Sequence, residues 1–159
     1  MRIAFIGIGL MGRPMVTRLL DAGFEMILWN RSPEKAALFS ERATIANKPE
    51  DALKSADIII TMLENGAIVD DVIFQSRAFE YIKPHALFID MSSIPPAVAR
   101  KHAQQIKHHG ASYLDAPVSG GTVGAEQGTL SVMTGGLKKD FDHALPVFSA
   151  LGTATHIGD

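Results

Sequence analysis

Residues 2–12, "RIAFIGIGLMG", carry the clearest structural pattern in the chain. Its first five residues form a short apolar run, which predicts a strand buried on both faces and ended by Gly7. The glycines that follow have the spacing G-x-G-x-x-G, and a helical pattern is predicted from Leu10 to Ala22. A glycine loop between a strand and a helix is the local context of a dinucleotide-binding βαβ unit.

Each of the three glycines in this loop has a physical reason. Gly7 permits a tight turn, Gly9 lets a pyrophosphate approach the backbone, and Gly12 lets the helix pack closely on the strand. The free N–H groups at the start of the helix are predicted to face the negative charge. The predicted pyrophosphate site therefore consists of Gly7, Ile8, Gly9, Leu10, Met11 and Gly12.

Strand-like and helical patterns alternate along the whole chain. Strands are predicted at residues 2–6, 25–29, 43–45, 57–62, 86–90, 111–114, 130–134 and 154–157. Helices are predicted at 10–22, from 33, just before 57, at 66–81 with a break near 75, from a cap at Ser92 or Ser93 to 110, and at 138–151. This order is typical of a Rossmann-type α/β fold, a doubly wound, mostly parallel sheet with helices on both faces. Residues 1–159 are expected to form one NAD(P)-binding domain.

The composition excludes several classes of protein. A hydrophobic content of 47% with 20% charged residues argues against disorder. A net charge of −2 does not indicate a surface that binds nucleic acid or membranes. The absence of cysteine excludes disulfides and thiolate metal sites, and no metal site is predicted. No apolar run approaches the roughly 20 residues that span a bilayer. A cytoplasmic location is the expectation.

The end of the second predicted strand bears on which dinucleotide binds. NAD sites usually place a carboxylate there for the ribose 2′-hydroxyl, whereas this chain has Asn30, Arg31 and Ser32. Arg31 can pair with a 2′-phosphate, which a carboxylate would repel, and Asn30 and Ser32 can add neutral hydrogen bonds. The sequence favours NADP(H), with NAD(H) as the alternative. The alternative that Arg31 is an ordinary surface residue, just before a helix, stays open.

Two further segments follow predicted strands at the same edge of the sheet. Ligands of such folds bind beyond the carboxyl ends of the strands, so Met62, Leu63 and Ser93 are expected to border the nicotinamide half of the cofactor. Ser93 as a simple helix cap is compatible with that role.

The segment "DAPVSGG", residues 115–121, reaches that edge after the sixth strand. Pro117 restricts the backbone, Ser119 offers a hydroxyl, and Gly120 and Gly121 expose N–H groups without side chains. This arrangement suits a bound carboxylate. A plain tight turn between strands accounts for the residues equally well.

Three motifs together resemble the β-hydroxyacid dehydrogenase family: "FIGIGLMGRPMVTRLLDAG" (5–23), "FIDMSSI" (88–94) and "DAPVSGGTVGAEQGTLSVMTGG" (115–136). The second and third are most similar to 2-hydroxy-3-oxopropionate (tartronate semialdehyde) reductase. The Asn-Arg-Ser after the second strand is similar to the NADP-using glyoxylate and succinic semialdehyde reductases, and 3-hydroxyisobutyrate dehydrogenase is a further member.

The resemblance implies an NAD(P)-dependent oxidoreductase that reduces a short semialdehyde acid by hydride transfer. It implies that Ser119, Gly120 and Gly121 bind the substrate carboxylate. It also implies a catalytic lysine in a Lys-x-x-Asn-Asn segment and an all-helical second domain that drives dimerisation. Both would follow Asp159, so no catalytic residue is expected here, and the longer protein is expected to be a homo-oligomer. The chain is then expected to be an expressed fragment or a truncated gene product.

Three alternatives stay open. Within the superfamily, 6-phosphogluconate dehydrogenase has a Gly-Gly-Asn-Ser signature where this chain has Met91–Ser93, and an imine reductase would not carry "DAPVSGG". The other two come from different classes: a dinucleotide-binding module without catalysis, and a dinucleotide sensor with its own partner surface.

Overall fold

The computed structural model describes every residue from Met1 to Asp159. The strands are β1 (Arg2–Ile6), β2 (Glu25–Trp29), β3 (Thr44–Ile45), β4 (Ile58–Thr61), β5 (Leu87–Asp90), β6 (Ser112–Asp115), β7 (Val118–Ser119), β8 (Leu130–Gly135) and β9 (Gly152–Gly158). The α-helices are α1 (Gly12–Asp21), α2 (Pro33–Ala37), α3 (Pro49–Leu53), α4 (Gly66–Val69), α5 (Pro96–His108), α6 (Gly121–Gln127) and α7 (Lys138–Leu151). A π-helical segment (Asp70–Gln75) and a 3₁₀ turn (Ala78–Tyr81) follow α4.

The strands form one sheet in the order β3-β2-β1-β4-β5-β6-β8-β7, with β9 beside β8. The pairings among β1 to β6 are all parallel. β8 is antiparallel to β6 and β7, and β9 is parallel to β8. The predicted Rossmann-type, mostly parallel α/β fold is confirmed.

Both faces of the sheet are covered, because alternate side chains of the central strands enter different cores. Ile3 and Phe5 of β1 belong to a core of 26 buried residues shared with α1, α6 and α7. Ala4 and Ile6 belong to a second core of 17 buried residues, under α3, the π-helical segment and α5. This is the doubly wound arrangement that the sequence predicts. No helix is both long enough and apolar enough to cross a membrane.

Two helix starts differ from the sequence prediction. α1 begins at Gly12 rather than at Leu10, with the Arg13 N–H bonded to the Gly9 carbonyl at 3.0 Å. The predicted cap of α5 at Ser92 or Ser93 is wrong, because α5 begins at Pro96 without a side-chain cap. A residue that precedes a proline is held in the extended region, so the helix cannot begin before Pro96.

The predicted helix over 66–81 is in fact three segments, and the expected break near 75 marks the end of the π-helical one. Phe74 in that segment stacks on the His102 ring of α5 with centroids 4.1 Å apart. Such wide turns depend on tertiary packing rather than on local sequence. Arg77, with a φ of 64°, then ends the segment.

β7 and α6 are the elements that the sequence analysis missed. Residues 115, 118 and 119 pair with 135, 132 and 131 in one continuous antiparallel register. β7 is therefore carried past the end of β6 along β8. The turn that connects β7 to α6 stands beyond the carboxyl ends of the parallel strands.

Candidate functional site

The glycine loop between β1 and α1 is shaped by the chain's own packing at two of its three glycines. Gly7 has a φ of 103°, and a Cβ there would overlap the Met62 carbonyl oxygen and lie 2.8 Å from Leu63 Cδ2. A Cβ on Gly12 would overlap the Gly7 carbonyl oxygen and lie 3.2 Å from Phe5 Cε1. The turn and the close helix–strand contact thus require glycine at both positions.

Gly9 is different, because no atom lies within 4 Å of the position of an added Cβ. The backbone N–H groups of Gly9, Leu10 and Met11 have no hydrogen-bond partner within the chain. Free N–H groups beside a helix start and an open glycine form a cradle that fits a pyrophosphate. The residues present therefore suit the phosphates of a dinucleotide.

Asn30, at the end of β2, braces this loop. Its Oδ1 accepts the Ile8 N–H at 2.7 Å, and its Nδ2 donates to the Ser32 carbonyl at 3.0 Å. Both ends of the Asn30 amide, and the N–H of Ile8, are therefore used within the chain. Direct contact of Asn30 and Ile8 with a cofactor stays a prediction, and the geometry shown is that of a support.

A cavity of about 170 Å³ lies between the ends of β1, β2 and β4. Its lining brings together predicted site residues from three segments: Gly7, Gly9, Asn30, Arg31, Ser32, Met62 and Leu63. Lys35 of α2 and Glu64 also line it. The sequence analysis missed Lys35, although its position four residues after Arg31, just inside a helix, was a signal for a second cation on the same side.

The loops after β4 and β5 are tied to each other. The Leu63 N–H donates to Ser92 Oγ at 3.0 Å. Ser93 is exposed, and with α5 starting at Pro96 it is free of a capping role. The structure thus leaves the Ser93 side chain accessible at the edge where the nicotinamide was expected.

The turn after β7 is open on the side away from the core. Gly120 and Gly121 have φ of 135° and 62°, Ser119 is exposed, and the Gly120 N–H makes no hydrogen bond in the chain. α6, which starts here, contacts α1, and a groove of about 690 Å³ extends from Gly9 and Leu10 to Thr122 and Glu126 of α6. One groove therefore connects the glycine loop to the helix that follows the predicted substrate turn.

Asp115 stands where this segment leaves the sheet, beside Asp90 in the paired register of β5 and β6. Burial and the neighbouring Asp90 charge raise the pKa of the Asp115 carboxyl to about 6. Burial also raises the pKa of Asp90, and that of the Tyr113 hydroxyl. Two carboxyls and a phenol thus share a partly buried region at the carboxyl ends of β5 and β6.

The lysines of α7 lie elsewhere. Lys138 pairs with Asp142, and Lys139 borders a groove with Ser112 and His85 at the amino end of β6. Neither lysine lines the cavity beside the glycine loop. No group of three or more metal-ligating side chains is found in the structure.

The chain matches known proteins over nearly its whole length. The family model for the NAD binding domain of 6-phosphogluconate dehydrogenase matches residues 2–158. An uncharacterized oxidoreductase of Bacillus subtilis, YkwC, is 40% identical over 152 residues, which cover 94% of this chain and 53% of that protein. The 2-hydroxy-3-oxopropionate reductase of Escherichia coli is 36% identical over 96% of this chain and 52% of its own.

A solved structure of 3-hydroxyisobutyrate dehydrogenase from Mycobacterium tuberculosis, with L-serine, matches at a TM-score of 0.93 and 34% identity over 99% of this chain and 54% of that one. The chain spans about half the length of the curated relatives it matches. The resemblance to the β-hydroxyacid dehydrogenases is thereby confirmed for this domain. The chain belongs to the family of NAD-binding domains typified by 6-phosphogluconate dehydrogenase.

Proposed function

We propose that this chain is the NADP(H)-binding domain of a β-hydroxyacid dehydrogenase that reduces a short semialdehyde acid. One observation carries the proposal: an unpaired glycine-loop cradle opens beside a cavity lined by Arg31, Ser32 and Lys35. A phosphate-bearing ligand is the chemistry that such a set of donors would recognise.

The preference for NADP(H) rests on charge at the end of β2. The position that carries a carboxylate in NAD sites is occupied by Asn30, whose amide is held by Ile8 and Ser32. Arg31 and Lys35 are exposed and form no ion pair within the chain. Two free cations around one cavity favour a ligand with a 2′-phosphate, and Glu64 is the one acid in the lining.

The cofactor, when bound, supplies the hydride for the reduction. The chain's own part is to bind and orient. The glycine loop would hold the pyrophosphate, Met62, Leu63 and Ser93 would border the nicotinamide, and the Ser119–Gly121 turn would hold the substrate carboxylate. The group that protonates the developing alkoxide would be supplied by a lysine outside residues 1–159, in a longer, homo-oligomeric protein.

The proposed substrate is 2-hydroxy-3-oxopropionate or a close analogue. The similarity to the Escherichia coli enzyme of that name, at 36% identity, supports this choice. The alternatives are a 3-hydroxyisobutyrate dehydrogenase, which the Mycobacterium tuberculosis structure represents, and a glyoxylate or succinic semialdehyde reductase.

The test is a calorimetric titration of the chain with NADPH and, separately, with NADH. We expect NADPH to bind about tenfold more tightly, and Arg31→Ala to remove most of that difference while leaving NADH affinity nearly unchanged. Arg100→Ala, at an exposed arginine of α5 outside the cavity, is the matched control. NADH binding as tightly as NADPH would overturn the preference, and absence of binding by both would overturn the proposal.

A further inference from the structure

The carboxyl of Asp90, the last residue of β5, is completely buried. Its Oδ1 accepts hydrogen bonds from Thr61 Oγ1 at 2.9 Å and from the Ser92 N–H at 3.0 Å. The other oxygen faces the Tyr113 hydroxyl at 3.5 Å. Burying a carboxyl costs folding free energy unless hydrogen-bond donors satisfy it. A functional reason for Asp90 at this position is therefore worth seeking.

The two donors to Oδ1 belong to the segments that border the candidate cofactor cavity. Thr61 is the last residue of β4, directly before Met62, and Ser92 accepts the Leu63 N–H through its own hydroxyl. The Met91 N–H donates in turn to the Thr61 carbonyl at 2.9 Å. Asp90 therefore fixes the chain after β4 to the chain after β5.

The same connection reaches the glycine loop. The Met62 N–H donates to the Ile6 carbonyl at 2.9 Å, and the Met62 carbonyl and Leu63 side chain fill the space beside Gly7 where a Cβ would stand. A shift of Met62 and Leu63 would thus change the wall of the cavity next to the loop. Asp90 itself is not part of that wall.

We propose that Asp90 is a positioning residue for the cofactor: through Thr61 and Ser92 it holds Met62 and Leu63 where the nicotinamide half is to bind. The inference rests on the proposed function, because it assumes a dinucleotide in the cavity. It goes beyond that function in assigning a role to a side chain that no ligand touches. A carboxyl that only stabilises the fold would affect all parts of the ligand alike.

Two ligands separate these roles: NADPH, and 2′-phospho-ADP-ribose, which has the same adenosine and pyrophosphate but no nicotinamide. We expect Asp90→Ala to weaken NADPH binding about tenfold and 2′-phospho-ADP-ribose binding less than about twofold. Asp90→Asn keeps an oxygen acceptor for Thr61 and Ser92, so it should retain NADPH affinity within about threefold. Thr134→Ala removes a completely buried hydroxyl that lies outside this network, and it is the control for the loss of a buried polar group.

Ser92→Ala covers the case in which Asp90→Ala does not fold. It leaves the carboxyl in place and removes only the acceptor of the Leu63 N–H. We expect faster hydrogen exchange at the Leu63 amide and the same selective loss of NADPH affinity. Equal weakening of both ligands, or unchanged NADPH affinity, would overturn the role of Asp90. Failure of the unmodified chain to bind either ligand would instead overturn the proposed function.

Discussion

Two glycine-rich turns stand at the carboxyl edge of the sheet, and they need their glycines for different reasons. In the loop after β1, a Cβ on Gly7 or Gly12 would overlap backbone oxygens of the chain itself. In the turn after β7, nothing lies within 4 Å of a Cβ on Gly121, and Gly120 meets the Leu130 side chain at 3.2 Å. Gly9 of the first loop is open like Gly121. Packing thus requires glycine at Gly7 and Gly12. At Gly9 and Gly121, packing leaves room for a side chain, so only the backbone conformation or a bound ligand can explain the glycine.

The largest effect is expected from Gly12→Ala, which tests whether packing requires that glycine. Gly12 has an ordinary φ, so the cost is purely steric, and it should lower the free energy of unfolding by at least about 3 kcal/mol. Urea denaturation measures it. Gly135→Ala, whose Cβ would meet only the Gly158 carbonyl at 3.9 Å, is the control. Equal stability of the two variants would show that packing does not require glycine at position 12.

Gly9→Ala tests the other half of the comparison within the same loop. The free energy of unfolding should stay within about 0.5 kcal/mol, because the added methyl group enters open space. NADPH affinity should fall at least about tenfold, since the methyl group would occupy the approach to the free N–H groups. Calorimetry gives the affinity and denaturation the stability. Unchanged affinity would contradict a pyrophosphate at this position.

Gly121→Ala examines the second turn. Its φ of 62° is left-handed, so a side chain there should cost about 1 kcal/mol of stability. NADPH affinity should stay within about twofold, because the turn is assigned to the substrate carboxylate rather than to the cofactor. A denaturation series together with a calorimetric titration decides both points. A loss of cofactor affinity as large as that of Gly9→Ala would assign the two turns to one ligand.

Asp115, the last residue of β6, gives the stability of the domain a dependence on pH. The fold raises the pKa of Asp115 to about 6. The contribution of this carboxyl to the free energy of unfolding is therefore greatest at low pH and falls as pH rises from about 4 through 6. Asp115→Asn should remove this fall and stabilise the protein at pH 7 by about 1 kcal/mol, a figure reduced for the partial exposure of the carboxyl. Denaturation of both proteins at pH 4.5 and pH 7 measures the difference. Parallel pH dependences would show that the carboxyl titrates normally.

The parts of the fold that the sequence predicted are those fixed by local patterns. The apolar runs of β1, β4 and β5 and the glycine spacing of residues 7–12 are readable because strand burial and loop geometry repeat a known arrangement. Arg31 and Ser32 are predicted as site residues because the carboxylate usual at the end of the second strand is absent. The structure then places both in one cavity with Met62 and Leu63.

The parts that were missed depend on contacts distant in the sequence. α6 lies in a glycine-rich stretch without a clear helical period, and it forms where Gly124 and Ala125 are buried beside Leu130. The support role of Asn30 depends on how the end of β2 faces Ile8. The hydrogen bond between Leu63 and Ser92 and the one between Thr61 and Asp90 leave no local signature, because each joins residues 29 positions apart.

The central place of β1 in the sheet has a consequence for how the chain folds. β1 is flanked by β2 on one side and by β4 on the other, and the Arg2 N–H bonds the Asp57 carboxylate 55 residues away. During synthesis, one edge of a strand whose last four residues are apolar and buried therefore stays unpaired until β4 has emerged from the ribosome. Non-local pairing of this kind slows folding and exposes an aggregation-prone edge. The first strand to be made is thus not paired on both edges until the chain has been made as far as Thr61, the end of β4.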